Sequence, residues 1–347
     1  MNEGVFRAQF GSHKSILRGG GGALNDRESQ SMVSKIVWPH GKDFAFTIFD
    51  DSDFNTVENS SAVYSFLSDI GLRTTKSVWP IRGNGTPKIG GTTCEDKQYL
   101  TWILGLKENG FEVALHNVTY HTSTREQTVE GLDRFRQLFG HDPYSMANHS
   151  GCSEAIYWGR ARLSGSRRVV YDLAHLFSNG NGDVNDFQGH IEGSSLYWGD
   201  FCQDRIKYVR NFVLGDINTL RVCPFMPYHD PDRPRVKYWF AGSEGPNVRS
   251  FNAMLREANQ DRLMAEGGAC IMSTHFASGF FEHGRINERF RFLLERMSRM
   301  NGWFVPVHTL LDFILQTRGE HSITQVERSH LESRWLWHKL FHTGGRS

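Results

Sequence analysis

Acidic and histidine residues stand at the ends of three apolar, β-rich segments of this sequence. They are Asp50 and Asp51 in FAFTIFDD, His116 and His121 in FEVALHNVTYH, and His275 in CIMSTHF. In α/β barrels the reactive groups lie where strands end. A single aspartate at such a place is ordinarily a helix cap, and a single histidine ordinarily belongs to the core. The recurrence of the same residue types at three strand ends indicates one shared site.

These residue types suit metal-assisted hydrolysis. Two histidines and one aspartate form an open site for Zn²⁺ or a similar divalent ion, which leaves positions for water and a substrate oxygen. The bound ion lowers the pKa of water towards about 7. A second carboxylate can accept the proton of that water, and a histidine on the opposite side can protonate a leaving nitrogen.

The remaining sequence alternates β-rich segments with amphipathic helical patterns. Helices are predicted at Thr56–Ile70, Asp96–Asn109, Arg125–Phe139, Ser153–Leu163, Phe251–Glu266 and Asn287–Met300. Further strands are predicted at RTTKSVWP, YSMANH, RRVVYDL and WFVPV. Repeated βα units favour parallel strands, either as a barrel or as an open sheet.

Composition shifts divide the chain into three parts. Residues 1–35 are rich in Gly and Ser and are predicted to form a flexible leader. Residues 36–319 carry the barrel pattern, which is interrupted at about 176–250 by a Gly-, Asn- and Pro-rich stretch that is predicted to be an irregular cap over the site. Residues 320–347 form an amphipathic tail. This tail could dock on the body of the protein or mediate self-association.

The overall composition restricts the partners and the compartment. The chain has 347 residues with 39 basic and 38 acidic side chains, so that no long-range field favours nucleic acid or an anionic membrane as a partner. No run of about 18 apolar residues predicts a membrane span. The five cysteines are odd in number and widely spaced, and the N-terminal residues include no apolar secretory segment. These features predict reduced thiols and a cytoplasmic location.

Three segments resemble motifs of the polysaccharide deacetylase (NodB-homology) family. FTIFDDSD resembles its T-F-D-D motif, EVALHNVTYH resembles the strand with two metal-binding histidines, and STHF resembles the late strand with a general acid. The resemblance spans roughly residues 40–315 and implies a distorted, seven-stranded (β/α) barrel. It implies that Asp50 is the catalytic base, that Asp51, His116 and His121 bind the metal, and that His275 is the general acid.

Two departures from the family pattern concern the metal ligands and the base. His116 and His121 are five positions apart, where the family has four. The segment Ala147–Gly151 replaces an arginine-containing motif, which leaves no arginine there to orient the base. Within this segment His149 is an alternative third ligand, and Asn148 is a candidate contact for the substrate or the base. Both could instead form a helix-entry turn.

Trp79, Trp198 and Tyr228 are candidate platforms for a sugar ring, although each could instead belong to the core. The predicted function is hydrolysis of an amide bond, N-acyl and specifically N-acetyl, on a sugar-like substrate. Zn²⁺ is the expected metal, with Co²⁺, Ni²⁺ or Mn²⁺ as alternatives. A small-molecule amidohydrolase of the allantoinase-like type and a non-catalytic, carbohydrate-binding relic of the fold are the competing hypotheses.

Overall fold

The computed structural model describes residues 36–179 and 187–341. The predicted leader at 1–35 lies outside the described residues. The strands in the described parts are β1 (Phe44–Asp50), β2 (Thr75–Val78), β3 (Glu112–Leu115), β4 (Ser145–Ala147), β5 (Tyr208–Leu214), β6 (Tyr238–Glu244), β7 (Ala269–Thr274), β8 (Phe281–Glu282), β9 (Arg285–Ile286) and β10 (Gly302–Phe304).

The helices surround these strands. They are α1 (Val57–Asp69), α2 (Lys97–Glu108), α3 (Arg125–Phe139), α4 (Ser166–Asn179), α5 (Gly199–Arg205), α6 (Thr219–Val222), α7 (Val248–Met254), α8 (Glu257–Ala265), α9 (Glu288–Ser298), α10 (Val307–Arg318) and α11 (Gln325–Phe341). Single 3₁₀ turns occur at Pro39–Gly41 and Gly159–Arg162. Several helices begin at a side-chain cap, such as Thr56 before α1 and Thr124 before α3.

Strands β1 to β7 form a closed parallel barrel. Each strand pairs with the next in chain order, and β7 closes the circle by pairing with β1 from Ala45↔Ala269 to Asp50↔Thr274. The predicted seven-stranded barrel is therefore confirmed. Strand β10 adds to the first half of β1, on the edge that β2 occupies further along. Because helices cover the outside and side chains fill the inside, all seven residues of β1 are buried.

The amino end of the barrel is closed by α10. Buried Glu112 accepts hydrogen bonds from the Thr75 and Ser145 hydroxyls, each at 2.6 Å. It also accepts from the backbone N–H of His308 at 3.0 Å, and the His308 ring nitrogen Nδ1 lies 3.2 Å from Glu112 Oε2. These contacts fix the first turn of α10 against three strand starts, which leaves the opposite end of the barrel for a site.

The stretch at 176–250, predicted to be an irregular cap, contributes two full barrel strands, β5 and β6. The sequence YVRNFVL of β5 lacks the pattern of a buried strand because Arg210 and Asn211 interrupt it, yet both side chains are buried. Two other predictions in the middle of the chain were wrong. RRVVYDL lies inside α4 instead of a strand, and the helix expected at Ser153–Leu163 is reduced to one 3₁₀ turn.

The C-terminal tail is helical in its described part. Helix α11 buries Leu331, Trp335 and Leu336 against the body of the protein and leaves Trp337 and Phe341 exposed. Self-association through this tail stays a prediction. The five cysteines are free thiols and all are buried. In the part of the chain that the structure describes, no helix is both long enough and apolar enough to span a bilayer.

Candidate metal centre and active site

The acidic residues at the end of β1 face two different sides of the barrel wall. Successive side chains on a strand point to opposite faces. Phe49 points inward, where its ring lies 6.2 Å from that of Phe240, and Asp51 follows it on the same face. Asp50 points outward to the helix layer, where it accepts a hydrogen bond from Tyr64 of α1. Asp51 and Asp53 can therefore reach the barrel mouth, whereas Asp50 cannot.

His116 reaches the same mouth from the end of β3. Its Nδ1 donates a hydrogen bond to the carbonyl of Ala147 at 3.1 Å, which fixes the ring and directs Nε2 towards Asp53. The distance from Nε2 to Asp53 Oδ1 is 3.1 Å. Asn117 follows with φ 53, a left-handed conformation that turns the chain out of the strand.

His149 follows β4 and completes a compact group. Its Nδ1 lies 3.1 Å from Asp53 Oδ1, the same oxygen that approaches His116. Its backbone N–H donates to Asn117 Oδ1 at 2.8 Å, which ties the turn after β3 to the turn after β4. Among the described residues, Asp53, His116 and His149 form a group in which one ligand atom from each side chain lies within 4.8 Å of the others.

This group fits a bound cation. The His149 ring is fully buried, and although Nδ1 lies close to Asp53 Oδ1, neither ring nitrogen has a partner in hydrogen-bonding geometry within the described residues. Because Nδ1 of His116 already donates elsewhere, its Nε2 presents a lone pair to a carboxylate oxygen. Lone pairs from two imidazoles and a carboxylate pointing at one small volume repel one another unless a proton or a cation lies between them. A His₂Asp set is also a donor set that Zn²⁺ favours.

Asp51 lies beside this group and is held by an arginine. Arg210 of β5 donates Nη1 to Oδ1 at 3.1 Å and Nη2 to Oδ2 at 2.6 Å, a bidentate pair. Burial alone would raise the pKa of Asp51, but the Arg210 guanidinium beside it holds that pKa below its usual value. Asp51 is therefore ionised at neutral pH. The arginine that the sequence lacks near Ala147 is supplied by β5.

His275 faces both inward carboxylates from the end of β7. Its Nδ1 donates to the carbonyl of Pro246 at 3.0 Å. The other nitrogen, Nε2, lies 3.7 Å from Asp51 Oδ2 and 3.5 Å from Asp53 Oδ2. Since 24% of its side chain remains exposed, a substrate can reach it. Nε2 is thus placed to give or receive a proton at the mouth.

The structure gives Asp50 a different environment from the one that a catalytic base requires. Asp50 is fully buried, and its Oδ2 lies 3.1 Å from Nζ of the equally buried Lys76. Its Oδ1 accepts from the backbone N–H of Phe276 at 2.8 Å. Burial raises the pKa of Asp50, an effect that Lys76 partly offsets. Its oxygens are occupied and turned away from the mouth, which makes it an internal ion-pair partner.

The structure does not bring His121 to the other two proposed ligands. After the turn at Asn117 the chain leaves the barrel wall, and the Nε2 lone pair of His121 accepts the backbone N–H of Gly85 at 3.0 Å. Its Nδ1 donates to the carbonyl of Thr122 at 2.8 Å. A Cβ on Gly85 would lie 2.6 Å from the ring, so glycine is required there. His121 therefore anchors a neighbouring loop.

The other candidate residues of the predicted site are also buried. Asn148 bonds both backbone polar groups of Ile156 and so closes its own loop. Trp79 packs its ring against those of His116 and His149, at 5.8 and 5.4 Å. Trp198 and Tyr228 are at most 2% exposed. None of the three aromatic residues presents a free face for a sugar, and Trp79 instead immobilises the two histidine rings.

Sequence reasoning missed Asp53 and Arg210. Asp53 lies two positions after Asp51, just beyond the end of β1, and a third acid so close to this strand end is the signal that could have identified it. Arg210 lies in β5, far along the chain, and no local pattern connects it to β1.

Comparison with known proteins gives similarity of fold only. No protein-family model and no curated protein matches the chain. Among solved structures it is similar to a protein from Mycobacterium smegmatis assigned as a polysaccharide deacetylase, with a TM-score of 0.46, 12% identity, and coverage of 84% of this chain and 97% of that chain. It is also similar to the peptidoglycan deacetylase PdaC from Bacillus subtilis, with a TM-score of 0.37, 11% identity, and coverage of 79% and 93%. A family 4 acetyl xylan esterase from Clostridium thermocellum, in complex with cobalt, gives a TM-score of 0.32, 9% identity, and coverage of 84% and 93%.

Proposed function

We propose that this protein is a metal-dependent hydrolase that removes an N-acyl group, such as acetyl, from a sugar-like substrate. The observation that supports this proposal is the convergence of Asp53, His116 and His149 beside a second carboxylate, Asp51, and a solvent-accessible histidine, His275. A binding-only relic of the fold would have no need for an ionised carboxylate and a solvent-accessible histidine next to each other beside a cation site.

The proposed ligands are Asp53 Oδ1, His116 Nε2 and one ring nitrogen of His149. When bound, a divalent ion supplies Lewis acidity, which acidifies water and polarises an acyl oxygen. Asp51 accepts the proton of the attacking water, and Arg210 fixes the orientation of its carboxylate. His275 Nε2 donates a proton to the leaving nitrogen, a step that amides need because an amine anion is a poor leaving group.

Metal content provides a first test that does not depend on activity. His149→Ala should lose the ion after dialysis, because it removes one of three ligands. His121→Ala is the matched control, since His121 is also a buried histidine of the segment after β3 but accepts a hydrogen bond from Gly85 of a neighbouring loop. Plasma mass spectrometry of the purified variants should give about one zinc per chain for the wild type and for His121→Ala. If His149→Ala kept its zinc and His121→Ala lost it, His121 and not His149 would be the third metal ligand.

Activity provides the second test. Acetate release from a panel of N-acetyl sugars should stop after rigorous chelation and return with Zn²⁺ or Co²⁺. Full activity in protein shown to be free of metal would contradict the proposal.

A further inference from the structure

The two peptide groups that flank His275 are hydrogen-bonded to the two adjacent aspartates at the end of β1. The carbonyl of Thr274 accepts the backbone N–H of Asp51 at 2.9 Å. The backbone N–H of Phe276 donates to the side-chain oxygen Oδ1 of Asp50 at 2.8 Å. The first bond continues the pairing of β1 with β7, whereas the second lies beyond the last residue of β7. Where the strand pairing stops, the Asp50 carboxylate therefore fixes the direction of the chain.

Phe276 is the anchor of this turn. Its side chain is fully buried, and its ring meets that of Tyr64 edge to face at 5.5 Å. The Tyr64 hydroxyl in turn donates to Asp50 Oδ2 at 3.0 Å. Each oxygen of the carboxylate thus has its own donor, Oδ1 from the turn after β7 and Oδ2 from helix α1. The backbone of Asp50 is held as well, because its carbonyl accepts the Ser77 hydroxyl at 2.9 Å.

Lys76 supplies the counter-charge of this carboxylate. Asp50 and Lys76 are register partners on β1 and β2, so that their side chains leave the barrel wall on the same face. Nζ of Lys76 lies 3.1 Å from Asp50 Oδ2, and neither side chain has exposed surface. Apolar side chains of similar volume often stabilise a fold as well as a buried ion pair does. The pair is therefore better explained by what the carboxylate holds than by the stability that it provides.

The position of His275 Nε2 depends on this turn and on one side-chain hydrogen bond. The bond from Nδ1 to the carbonyl of Pro246, at 3.0 Å, limits rotation of the ring. Nε2 then lies 3.7 Å from Asp51 Oδ2 and 3.5 Å from Asp53 Oδ2. Asp50 holds the peptide group next to the His275 Cα atom, from which the ring extends. A displacement of about 1 Å at a reacting group can lower the rate on the order of 10²-fold.

We propose that Asp50 is a positioning residue for the general acid, and that its carboxylate holds the Phe276 peptide so that His275 presents Nε2 to the leaving nitrogen. This inference rests on the proposed hydrolase function. Because its oxygens are turned away from the mouth, Asp50 acts through His275 and not on the substrate. Two adjacent residues at one strand end thereby fix the base, Asp51, and the acid relative to each other.

Paired substitutions separate this role from the effect of the ion pair on folding. Asp50→Asn with Lys76→Met removes both buried charges but keeps a side-chain oxygen that can accept the Phe276 N–H. Asp50→Leu with Lys76→Met removes the charges and the acceptor, with a side chain of similar shape. Tyr64→Phe is the matched control, because it removes the other hydrogen bond of the same carboxylate and keeps the ring that packs on Phe276. All three variants should keep the zinc of the wild type, since no proposed ligand is changed.

Acetate release from N-acetyl sugars should fall about 10–100-fold in the variant with Asp50→Leu, because the acid is displaced. The variant with Asp50→Asn and the Tyr64→Phe control should keep most of the wild-type turnover. Wild-type turnover in the variant with Asp50→Leu would overturn the inference. An equal loss in the variants with Asp50→Asn and Asp50→Leu would also overturn it, since the hydrogen-bond acceptor would then not be what matters.

The leaving group shows whether the loss acts through His275. Hydrolysis of para-nitrophenyl acetate needs no general acid, because nitrophenolate leaves as an anion. The variant with Asp50→Leu should therefore hydrolyse this ester nearly as fast as the wild type. Adding Asp50→Leu and Lys76→Met to His275→Ala should cause no further loss on N-acetyl sugars, as expected for residues that act as one unit. Equal losses on amide and ester, or a further loss in His275→Ala, would overturn the inference.

Hydrogen exchange measured by NMR tests the same contact without activity. The Phe276 amide should exchange slowly in the wild type and in the variant with Asp50→Asn, and about tenfold faster in the variant with Asp50→Leu, as loss of one hydrogen bond implies. Unchanged exchange in that variant would overturn the inference. Faster exchange, together with no acetate release from any N-acetyl sugar by the zinc-loaded wild type, would refute the hydrolase function and leave Asp50 as the residue that orders the turn after β7.

Discussion

At the scale of single residues, the two adjacent aspartates of β1 illustrate how strand geometry assigns chemistry. Asp50 and Asp51 are chemically identical, but one points to a buried lysine and the other to the barrel mouth. The family motif assigns the base to Asp50 and a ligand position to Asp51. The observed geometry instead favours Asp51 as the base and Asp53 as the metal ligand.

Substitution of the two aspartates should differ in its effect on turnover per folded molecule. Asp51→Asn should lower this turnover on the order of 10²–10⁴-fold while the protein keeps its zinc, because a general base is lost. It should also lower the free energy of unfolding, because Arg210 stays buried without its counter-charge. Asp50→Asn leaves Lys76 buried without its counter-charge and should lower the free energy of unfolding by about 3–5 kcal/mol. Steady-state kinetics and urea unfolding measure the two effects. If Asp50→Asn lost more turnover per folded molecule than Asp51→Asn, Asp50 would be the base, as the family motif implies.

Part of the site could be predicted from single residues and part could not. His116 and His275 were found because they directly follow apolar strands, and the structure brings both to the mouth. His121 was chosen over His149 from the spacing within one segment. That spacing could not show the left-handed turn at Asn117, which takes the chain away from the mouth.

At the scale of elements, the turns after β3 and β4 work as one unit. Asn117 Oδ1 accepts the backbone N–H of His149, and its Nδ2 donates to the buried Glu154 at 3.0 Å. Burial raises the pKa of Glu154 to about 7. A single asparagine therefore joins two strand ends, and each of these ends carries one proposed metal ligand.

Substitutions at Asn117 should separate backbone conformation from side-chain bonding. Asn117→Gly keeps the left-handed conformation at little cost but removes both hydrogen bonds, and it should weaken zinc affinity about 10–100-fold. Asn117→Ala should weaken it similarly and lower stability by a further amount of about 1 kcal/mol from strain. Competition with a fluorescent chelator measures the affinity. Wild-type affinity in Asn117→Gly would show that the side chain does not position His149.

The elements themselves were predictable to different degrees. Helix α3 has the predicted bounds, Arg125–Phe139, because a capping threonine begins it and Gly140 ends it. Strand β5 was missed because Arg210, a charged residue typical of loops, stands in the middle of its sequence. A charged residue inside a barrel is stable only with its counter-charge, and that partner, Asp51, directly follows β1 and is far from Arg210 in the sequence.

At the scale of the whole molecule, the two ends of the barrel have different tasks. The residues of the proposed site lie at the carboxyl ends of the strands, whereas α10 closes the amino end through Glu112 and His308. The contact with Glu112 outweighs burial and raises the pKa of His308 above its ordinary value of 6.5. The hydrogen bonds from Thr75, Ser145 and His308 likewise outweigh burial and lower the pKa of Glu112 below 4.5.

This closure predicts how stability varies with pH. The contribution of His308 is complete below pH 6.5 and is lost as the pH rises through its raised pKa. The contribution of Glu112 is present above pH 4.5 and is lost as the pH falls through its lowered pKa. Their ion pair should therefore stabilise the barrel most between these values. Melting temperatures should fall from pH 6.5 upward in the wild type, and this slope should be reduced in His308→Asn. An identical slope in both proteins would show that groups other than His308 cause the fall in melting temperature.

Strand β1 has three strand partners, and two of them, β7 and β10, come from the far end of the chain. During synthesis β1 leaves the ribosome long before either of these partners exists. One of its edges stays open until β7 emerges, and the first half of the other stays open until β10 emerges. Closing so long a loop is entropically costly and slow. An unpaired, apolar strand edge is also a template for other chains. The nascent protein should therefore need chaperone protection until translation is nearly complete, and fragments that stop before β7 should aggregate.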